Sequence, residues 1–225
     1  MKELAENILE AAIESFIKTG EPISSGWLYE QYNFGIKPAM IRHELEELTE
    51  EGFLEQPYRS SGRVPSDFGY EFFAGRVLSK KPEVTELAFR VGYSNWPNLT
   101  NWISSELSAL GVLFKLHEKI IYKSGLDRLI SGLSWNSPTE IKEIIKDFEE
   151  IDSRIGEAKK FVEDTVNVFI GKKSPVTKSK NLAVVMRTCN STNGPMVIMA
   201  IGPKRMNYKK AVKTLTDIHP PKIIK

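Results

Sequence analysis

Residues 38–52, PAMIRHELEELTEEG, decide the fold of the N-terminal part of this chain. Their apolar side chains recur at helical spacing, a proline occupies the first helical position, and a glycine follows the last turn. Two more helices are predicted before this one, over residues 2–19 and from Ser24 or Ser25 onward, and residues 33–35 predict the tight turn between the second and third helices. Three helices arranged in this way are a helix-turn-helix.

The segment that follows predicts a β-hairpin instead of a fourth helix. Residues 53–55 and 63–65 have the composition of short strands, residues 60–62 predict the turn between them, and Ser66 caps the next helix. A hairpin placed directly after a recognition helix is a wing. The sequence therefore predicts a winged helix-turn-helix domain over residues 1–80.

The rest of the chain predicts a second domain of mixed structure. A linker helix and a turn are predicted over residues 81–98, with the break in the pattern at residues 94–97, and two helical patterns follow at residues 99–114 and 139–165. In the latter, the side chains expected to face inward are Ile141, Ile144, Ile145, Phe148 and Ile151. Three β-rich runs and a last helix complete the pattern, at residues 166–170, 182–186, 196–200 and about 207–216. The predicted fold class is α+β, with residues 99–225 forming the second domain.

The composition excludes several classes of protein. With 225 residues, 41% hydrophobic and 27% charged, the chain has an ordinary globular balance. It has no apolar run that could span a bilayer and no signal-peptide core, so we expect a cytoplasmic protein without a membrane partner. The single cysteine, Cys189, excludes an internal disulfide framework, and the scattered histidines indicate no metal site. No Ser/His/Asp or Cys/His set has a catalytic context, so we predict neither an enzyme nor a cofactor.

Charge is distributed unevenly along the chain. Residues 1–80 contain 8 Lys and Arg against 14 Asp and Glu, a net charge of −6, whereas the remaining residues have a net charge of +8. Within residues 167–225, 12 basic residues are accompanied by one acidic residue, Asp217. Such asymmetry indicates two regions with different partners. The basic C-terminal region fits a contact with DNA or an acidic partner, and it fits equally well a solvated face that offsets the acidic N-terminal region.

Four segments form a recognisable set. They lie at the link into the second helix, on the recognition helix and its exit, in the hairpin and the start of the following helix, and near the C-terminus. They are residues 19–25 (TGEPISS), residues 41–45 (IRHEL) with Leu48 and 51–54 (EGFL), residues 55–57 (EQP) with 61–67 (SGRVPSD), Gly69 and Tyr70, and residues 168–171 (VFIG) with 201–208 (IGPKRMNY). In this order they resemble the heat-inducible transcription repressors of bacteria, the HrcA family.

The resemblance implies a winged helix that binds an inverted-repeat operator in double-stranded DNA as a homodimer, followed by a GAF-like regulatory domain. It also implies repression of heat-shock chaperone genes and a chaperonin partner. The GAF-like domain is shortened, since the family's inserted segment is missing between about Leu116 and Tyr122. The recognition helix reads KPAMIRH at residues 37–43, where the family usually has small hydroxylated residues and an Asn. Without the inserted segment, the predicted helices over residues 99–113 and 141–161 become the expected dimer interface.

The candidate DNA contacts lie on the recognition helix, at the start of the second helix and on the hairpin. They are Ser25, Lys37, Ala39, Met40, Arg42, His43, Arg59, Ser60, Ser61, Gly62 and Arg63. Arg42 is placed early on the recognition helix, where side chains reach base edges, although the same residue fits a solvated arginine paired with Glu46. Met40 also fits the core. The hairpin residues fit phosphate contacts or an ordinary polar turn.

The C-terminal signature comprises Gly202, Pro203, Arg205, Met206 and Tyr208. It predicts a tight strand-to-helix turn at Gly202 and Pro203, with Arg205 and Tyr208 on the first turn of the last helix. We expect this turn to fasten that helix to the sheet; the alternative is that Arg205 contacts a ligand or DNA. The leading functional prediction is a DNA-binding repressor, and the alternative is a protein-interaction module whose acidic winged helix docks a protein instead of DNA.

Overall fold

The computed structural model describes residues 2–80, 95–133, 137–156, 165–191 and 194–218. The chain divides into two compact units, Met1–Arg76 and Val77–Lys225. The predicted linker helix falls on residues 81–94, which lie outside the described residues. The predicted α+β class is confirmed, because both units combine helices with antiparallel strands.

The N-terminal unit contains the three predicted helices and the predicted pair of short strands. Their bounds are α1 Glu3–Thr19, α2 Ser25–Gln31, α3 Pro38–Glu50, β1 Leu54–Glu55, β2 Val64–Pro65 and α4 Asp67–Ser79. Gly20 ends α1 with a left-handed φ of 73°, and the Ser24 hydroxyl caps α2 by accepting a hydrogen bond from the Trp27 amide. Ser66 caps α4 as predicted, since its hydroxyl accepts from the Gly69 amide.

One small apolar core holds the N-terminal unit together. Its fully buried side chains come from all three helices and from β1: Ile8, Leu9, Ile13, Leu28, Ile41, Leu48 and Leu54. Strand β1 pairs antiparallel with β2 through Leu54 opposite Pro65 and Glu55 opposite Val64. The chain therefore returns from β2 directly into α4, whose Phe68 and Phe72 contact the Phe53 ring next to β1.

The C-terminal unit is an antiparallel sheet with helices on both faces. Its elements are α5 Trp96–Leu107, β3 Leu110–Lys115, β4 Ile120–Ser124, α6 Leu126–Ser131, α7 Pro138–Arg154, β5 Val166–Ile170, β6 Leu182–Ser191, β7 Gly194–Pro203 and α8 Tyr208–Thr216. The strand order is β4-β3-β7-β6-β5, and every neighbouring pair is antiparallel.

The two faces of this sheet bury different helices, because side chains alternate along each strand. Val112, Val184 and Met199 belong to a core cluster with α6 and α7. On the opposite face, Gly111 lies against the backbone of α5, and Arg187 donates to the carbonyls of Leu215 and Thr216 at the end of α8 and to that of Ile218 beyond it. The first two bonds satisfy groups that the helix itself leaves unpaired.

The prediction of one helix over residues 99–114 is wrong in its second half. Helix α5 ends at Leu107, Ser108 takes a left-handed φ of 48°, and residues 110–115 form β3 in the middle of the sheet. All six residues of β3 are buried, so the strand has no polar alternation that distinguishes it from a buried helix. Pro97 does not break a helix either: it lies in the first turn of α5.

The sequence analysis predicts neither strand β4 nor helix α6, and β4 begins within the range where the inserted segment is expected to be missing. Residues 116–119 join β3 to β4, and Lys115 pairs with Ile120 at the end of the hairpin. The predicted inward face of α7 is also corrected. Ile144 and Ile151 are buried, but Ile145 is 39% exposed and lies on the outer side.

Several of the apolar side chains that predict the dimer interface are buried within the unit, and residues 157–161 of that prediction lie outside the described residues. Leu99 and Ile103 of α5 and Ile144 and Ile151 of α7 are buried within the unit itself. Residues 110–113 belong to β3, an interior strand of the sheet, and not to a helix surface. The apolar stripes that suggested an interface are therefore the ones that cover the sheet of their own unit.

A buried carboxylate on α7 organises the connection between β5 and β6. Asp147, 3% exposed, accepts hydrogen bonds from the backbone amides of Lys178 and Ser179 at 2.8–3.0 Å and pairs with Arg154. Buried backbone amides need such partners, so Asp147 replaces the hydrogen bonds that regular secondary structure would supply there.

We expect Asp147→Ala to lower the free energy of unfolding by about 3 kcal/mol, because it leaves two backbone amides without their acceptor and removes one of the two carboxylates that pair with Arg154. Urea denaturation of the full chain measures the change. The matched control is Asp152→Ala on the same helix, whose carboxylate is exposed and pairs with Lys123, and we expect it to cost less than about 1 kcal/mol. Equal losses in the two variants would contradict the role given to Asp147.

Candidate nucleic-acid interface

Helix α3 separates a buried side from an exposed one. Ile41, Leu45 and Leu48 are buried at helical spacing and attach the helix to the unit. The predicted contact residues Ala39, Met40, Arg42 and His43 are all exposed near its N-terminal end, and Lys37 is exposed at the cap position. Met40 is 52% exposed, so the alternative that it belongs to the core is wrong.

The charged side chains of this exposed surface have different surroundings. His43 Nε2 lies 3.4 Å from Glu47 Oε1, one helical turn further along. No ion pair joins Arg42 and Glu46, although the structure describes both residues and their spacing would permit one. Arg42 therefore extends its guanidinium without a carboxylate to hold it.

An open cleft of about 330 Å³ lies between α3, the start of α2 and the ribbon, which we define as residues 54–65. It is lined by Ile23, Ser24, Ser25, Arg42, Leu45, Glu46, Gln56, Arg59, Ser61, Gly62 and Arg63. We call it the arginine cleft, because three arginines from two elements meet there with a single carboxylate. Six of the predicted contact residues line it; Lys37, Ala39, Met40, His43 and Ser60 do not.

The ribbon is fastened to the loop before α2 by its backbone. The Ile23 amide donates to the Arg63 carbonyl at 2.9 Å, and the Arg63 amide donates to the Ile23 carbonyl at 2.8 Å. A Cβ atom at position 62 would lie 2.6 Å from the carbonyl carbon of Ile23, so the approach requires glycine. Gly62 thus lies at this junction together with Arg63, and not in the turn between the strands where the sequence predicts it.

The tip itself is a turn over residues 58–61 that is braced from inside. The Ser61 hydroxyl donates to the Tyr58 carbonyl and accepts from the Tyr58 amide. Gln56 Nε2 donates to the carbonyls of Arg59 and Ser61, both at 3.0 Å. These bonds fix the backbone that carries Arg59, and they were not expected from the sequence, which singled out neither Gln56 nor Tyr58.

Thr49, which the sequence analysis also does not single out, positions Arg63. Arg63 Nε donates to Thr49 Oγ1 at 3.0 Å, while the threonine hydroxyl donates to the Leu45 carbonyl of its own helix. Thr49 follows Arg42 by two helical turns and so lies on the same side of α3. That spacing is the signal by which the sequence could have identified it.

The acidic residues of the N-terminal unit lie mainly outside the arginine cleft. Arg76 of α4 pairs with Glu6 and Glu10 of α1, both at 2.7 Å. The hydrogen bond to Glu10 raises the pKa of this guanidinium above its ordinary value, and the charges of both glutamates act in the same direction. On α3, Glu44, Glu47 and Glu51 line a separate groove with Lys2, so Glu46 is the one carboxylate among the residues that line the arginine cleft.

The C-terminal signature does not form the predicted turn. Gly202 and Pro203 are the last two residues of β7, opposite Ala183 and Leu182, and Gly202 has no left-handed φ. The turn into α8 comes later, and Arg205 belongs to it rather than to the helix.

The signature side chains nevertheless make contacts within the C-terminal unit. Arg205 Nη2 donates to the Gly132 carbonyl at 3.3 Å, and Met206 is buried. The Tyr208 hydroxyl donates to the Lys204 carbonyl, and the Asn207 side chain caps α8 by accepting from the Lys210 amide. These contacts join the end of α6 to the connection between β7 and α8.

Comparison with known proteins identifies the family. The sequence model of the HrcA protein C terminal domain matches residues 84–212, more than half of the chain. The chain belongs to the HrcA family. The resemblance found in the sequence is thereby confirmed.

Two relatives carry the name heat-inducible transcription repressor HrcA. The protein from Desulforamulus reducens is 38% identical over 97 residues, and that from Moorella thermoacetica is 47% identical over 78 residues. These alignments cover 42% and 35% of this chain but only 28% and 23% of the relatives, so the matched part is about a quarter of each relative's length. The named relatives are repressors and not enzymes, in agreement with the predicted absence of a catalytic site.

A solved structure shares the fold. The crystal structure of a hypothetical protein at 2.2 Å resolution superposes with a TM-score of 0.77 at 15% identity, covering 96% of this chain and 95% of that one. Within the described ranges, no group of His, Cys, Asp and Glu could hold a metal ion. The described helices include none with the length and apolar character to cross a bilayer.

We expect Gly62→Ala to destabilise the N-terminal unit by about 2 kcal/mol, because the new methyl group meets backbone that cannot rotate away. Thermal and urea unfolding of the full chain measure this. Gly75→Ala is the control: position 75 lies inside α4 with nothing within 4 Å of a new Cβ, and we expect it to stabilise by up to about 1 kcal/mol. If both variants change the free energy of unfolding in the same direction, the junction between the ribbon and α2 does not require glycine.

Proposed function

We propose that this chain is a transcription repressor whose N-terminal unit binds DNA as a winged helix. In this proposal α3 is the recognition helix in the major groove and the ribbon is the wing. The observation that carries it is the arginine cleft, where Arg42 of α3 meets Arg59 and Arg63 of the ribbon. Arginine side chains are the commonest specific readers of guanine and frequent phosphate ligands, so a cleft of this composition fits a duplex edge.

Arg42 is the proposed base-reading residue. It is the fifth residue of α3, it is exposed, and Glu46 does not pair with it. Residues near the N-terminal end of a recognition helix reach base edges, where an arginine can donate two parallel hydrogen bonds to guanine O6 and N7. Lys37, Ala39, Met40 and His43 are exposed on the same end of the helix and complete the proposed groove surface.

Arg63 and Arg59 are the proposed phosphate ligands. Thr49 and the Ile23 backbone hold the Arg63 guanidinium in place before DNA arrives, whereas for Arg59 the braced turn fixes the backbone that carries the side chain. Ordering a long side chain in advance reduces the entropy lost on binding. Ser25, Ser60, Ser61 and Gly62 add hydroxyl or backbone donors beside these arginines.

The C-terminal unit is the proposed regulatory and dimerisation domain, a shortened GAF-like domain over residues 99–225 with a linker over residues 81–98. Its antiparallel sheet with helices on both faces supports this assignment. Recognition of an inverted repeat needs two recognition helices about one turn of DNA apart, and this requirement supports a homodimer. We propose that the dimer occludes promoters of heat-shock chaperone genes in the cytoplasm, and that a chaperonin maintains its folded form.

One observation favours a second function, docking of a protein partner by the N-terminal unit. Residues 1–80 have a net charge of −6, and DNA affinity comes largely from cations that neutralise phosphates. The separation of the acidic residues from the arginine cleft weakens this alternative, because local charge decides the contact.

The deciding experiment is binding to duplex DNA from upstream of the chain's own gene and of chaperone genes. We expect fluorescence anisotropy to detect tighter binding to a palindromic duplex than to a scrambled one, with affinity that falls steeply as salt rises. Light scattering should show a dimer on the palindrome. Equal or absent binding to both duplexes at low salt would favour the protein-docking function.

Two arginine variants separate base reading from phosphate contact. We expect Arg42→Ala to reduce discrimination between palindromic and scrambled DNA by about 1–3 kcal/mol, since a base contact carries sequence information. Arg63→Ala should weaken binding to both duplexes by the same factor, and it should reduce the slope of log affinity against log salt concentration by about 1. An unchanged specificity ratio in Arg42→Ala would contradict its role as a base reader.

A further inference from the structure

The C-terminal unit contains a second basic cleft, which neither the signature nor the proposed DNA contacts explain. It has a volume of about 440 Å³ and lies between α7 and the connection from β5 to β6. Its cations are Lys146, Arg154, Lys172, Lys178 and Lys180, and its carboxylates are Glu143 and Asp147. We call it the lysine cleft.

The backbone that carries these lysines is held in one conformation. The Ser174 hydroxyl accepts from the amides of Val176 and Thr177 at 3.2 and 3.0 Å. The backbone amides of Lys178 and Ser179 donate to the Asp147 carboxylate. The side-chain amide of Asn181 donates to Glu140. The connection is therefore pinned at successive residues, and the exposed lysine side chains project from a fixed frame.

The positive charge of this cleft is not balanced by the carboxylates that line it. Asp147 is already engaged by Arg154 and two backbone amides, and Lys146 lies 3.7 Å from Glu150. No described carboxylate forms an ion pair with Lys172, Lys178 or Lys180. Like charges held near one another on a fixed frame repel, and a bound anion would relieve that repulsion.

A buried hydroxyl in the same cleft has an unused donor. Ser179 is 5% exposed, and its Oγ accepts a hydrogen bond from the Asn181 amide at 3.2 Å. Among the described residues none accepts the hydrogen of this hydroxyl. A buried donor without an acceptor is costly, and an oxyanion in the cleft would provide one.

We propose that the lysine cleft binds a small molecule that carries two or more phosphate groups. Lysine ammonium groups bind phosphate as point charges, and the volume falls in the range of small-molecule sites. A concave site of this size fits a compact ligand better than the convex backbone of a duplex. The ligand would join α7 to the β5–β6 connection through Lys178, Lys180 and the Ser179 hydroxyl.

The test uses sodium tripolyphosphate with the full chain at constant ionic strength. We expect it to raise the melting temperature by several degrees at saturating concentration, and calorimetric titration should give a saturable isotherm. The double variant Lys178→Gln/Lys180→Gln should raise the dissociation constant about tenfold or more, because two charge-assisted contacts are lost. Lys213→Gln, an exposed lysine of α8 outside the cleft, is the matched control and should bind as the wild type does.

Three results would overturn the proposal. The first is the absence of a melting-temperature shift and of saturable heat in the wild type. The second is an equal dissociation constant in the wild type and the double variant, which places any binding elsewhere. The third is a loss of affinity for scrambled duplex DNA in the double variant without tripolyphosphate binding in the wild type, which identifies the lysines as a contact for a nucleic-acid backbone. None of these measurements requires the palindrome, so they remain informative if the repressor function fails.

Discussion

The paired backbone hydrogen bonds between Ile23 and Arg63 are the constraint on which the N-terminal unit depends. They join the loop before α2 to the ribbon, two segments that are 40 positions apart in the sequence, and Gly62 allows the approach. Without this junction the short ribbon would have only two paired residues on each strand to define its position. With it, Arg59 and Arg63 lie beside Arg42, which no local sequence pattern brings near them.

Helix geometry explains how an acidic unit can present a basic cleft. Residues 42, 46 and 49 lie on one side of α3, whereas Glu44 and Glu47 face a separate groove together with Glu51, which follows the helix. Arg76 neutralises part of the charge of α1 by pairing with Glu6 and Glu10. The net charge of −6 is the sum over all of residues 1–80. A bound partner responds mainly to the charges within about one Debye length of its contact surface, because salt screens the more distant ones.

Much of the fold follows from local signals in the sequence, and the failures have a common cause. Gly20, Ser24 and Ser66 act where their backbone and hydroxyl chemistry predicts, so the helices of the N-terminal unit are found with correct ends. Strand β3 was missed because it is buried on both faces and its apolar run has no period of two. Gly202 was taken for a turn residue, but it pairs within β7. In the candidate site the exposed arginines were predictable from helix position, whereas Thr49 and Gln56 act through contacts across the chain.

The hairpin of β3 and β4 shows how the C-terminal unit is complete without the inserted segment that the resemblance implies. Residues 116–119 connect the two strands. Lys115 Nζ lies 2.7 Å from Glu118 Oε1 across the turn and 5.3 Å from the centre of the Trp96 ring. The Leu116 amide donates to the Pro195 carbonyl, and a Cβ at Gly194 would meet His117, so the turn also packs against the start of β7. A segment inserted at residues 116–119 would have to leave and re-enter through this packed corner. The short connection therefore stabilises the sheet edge directly.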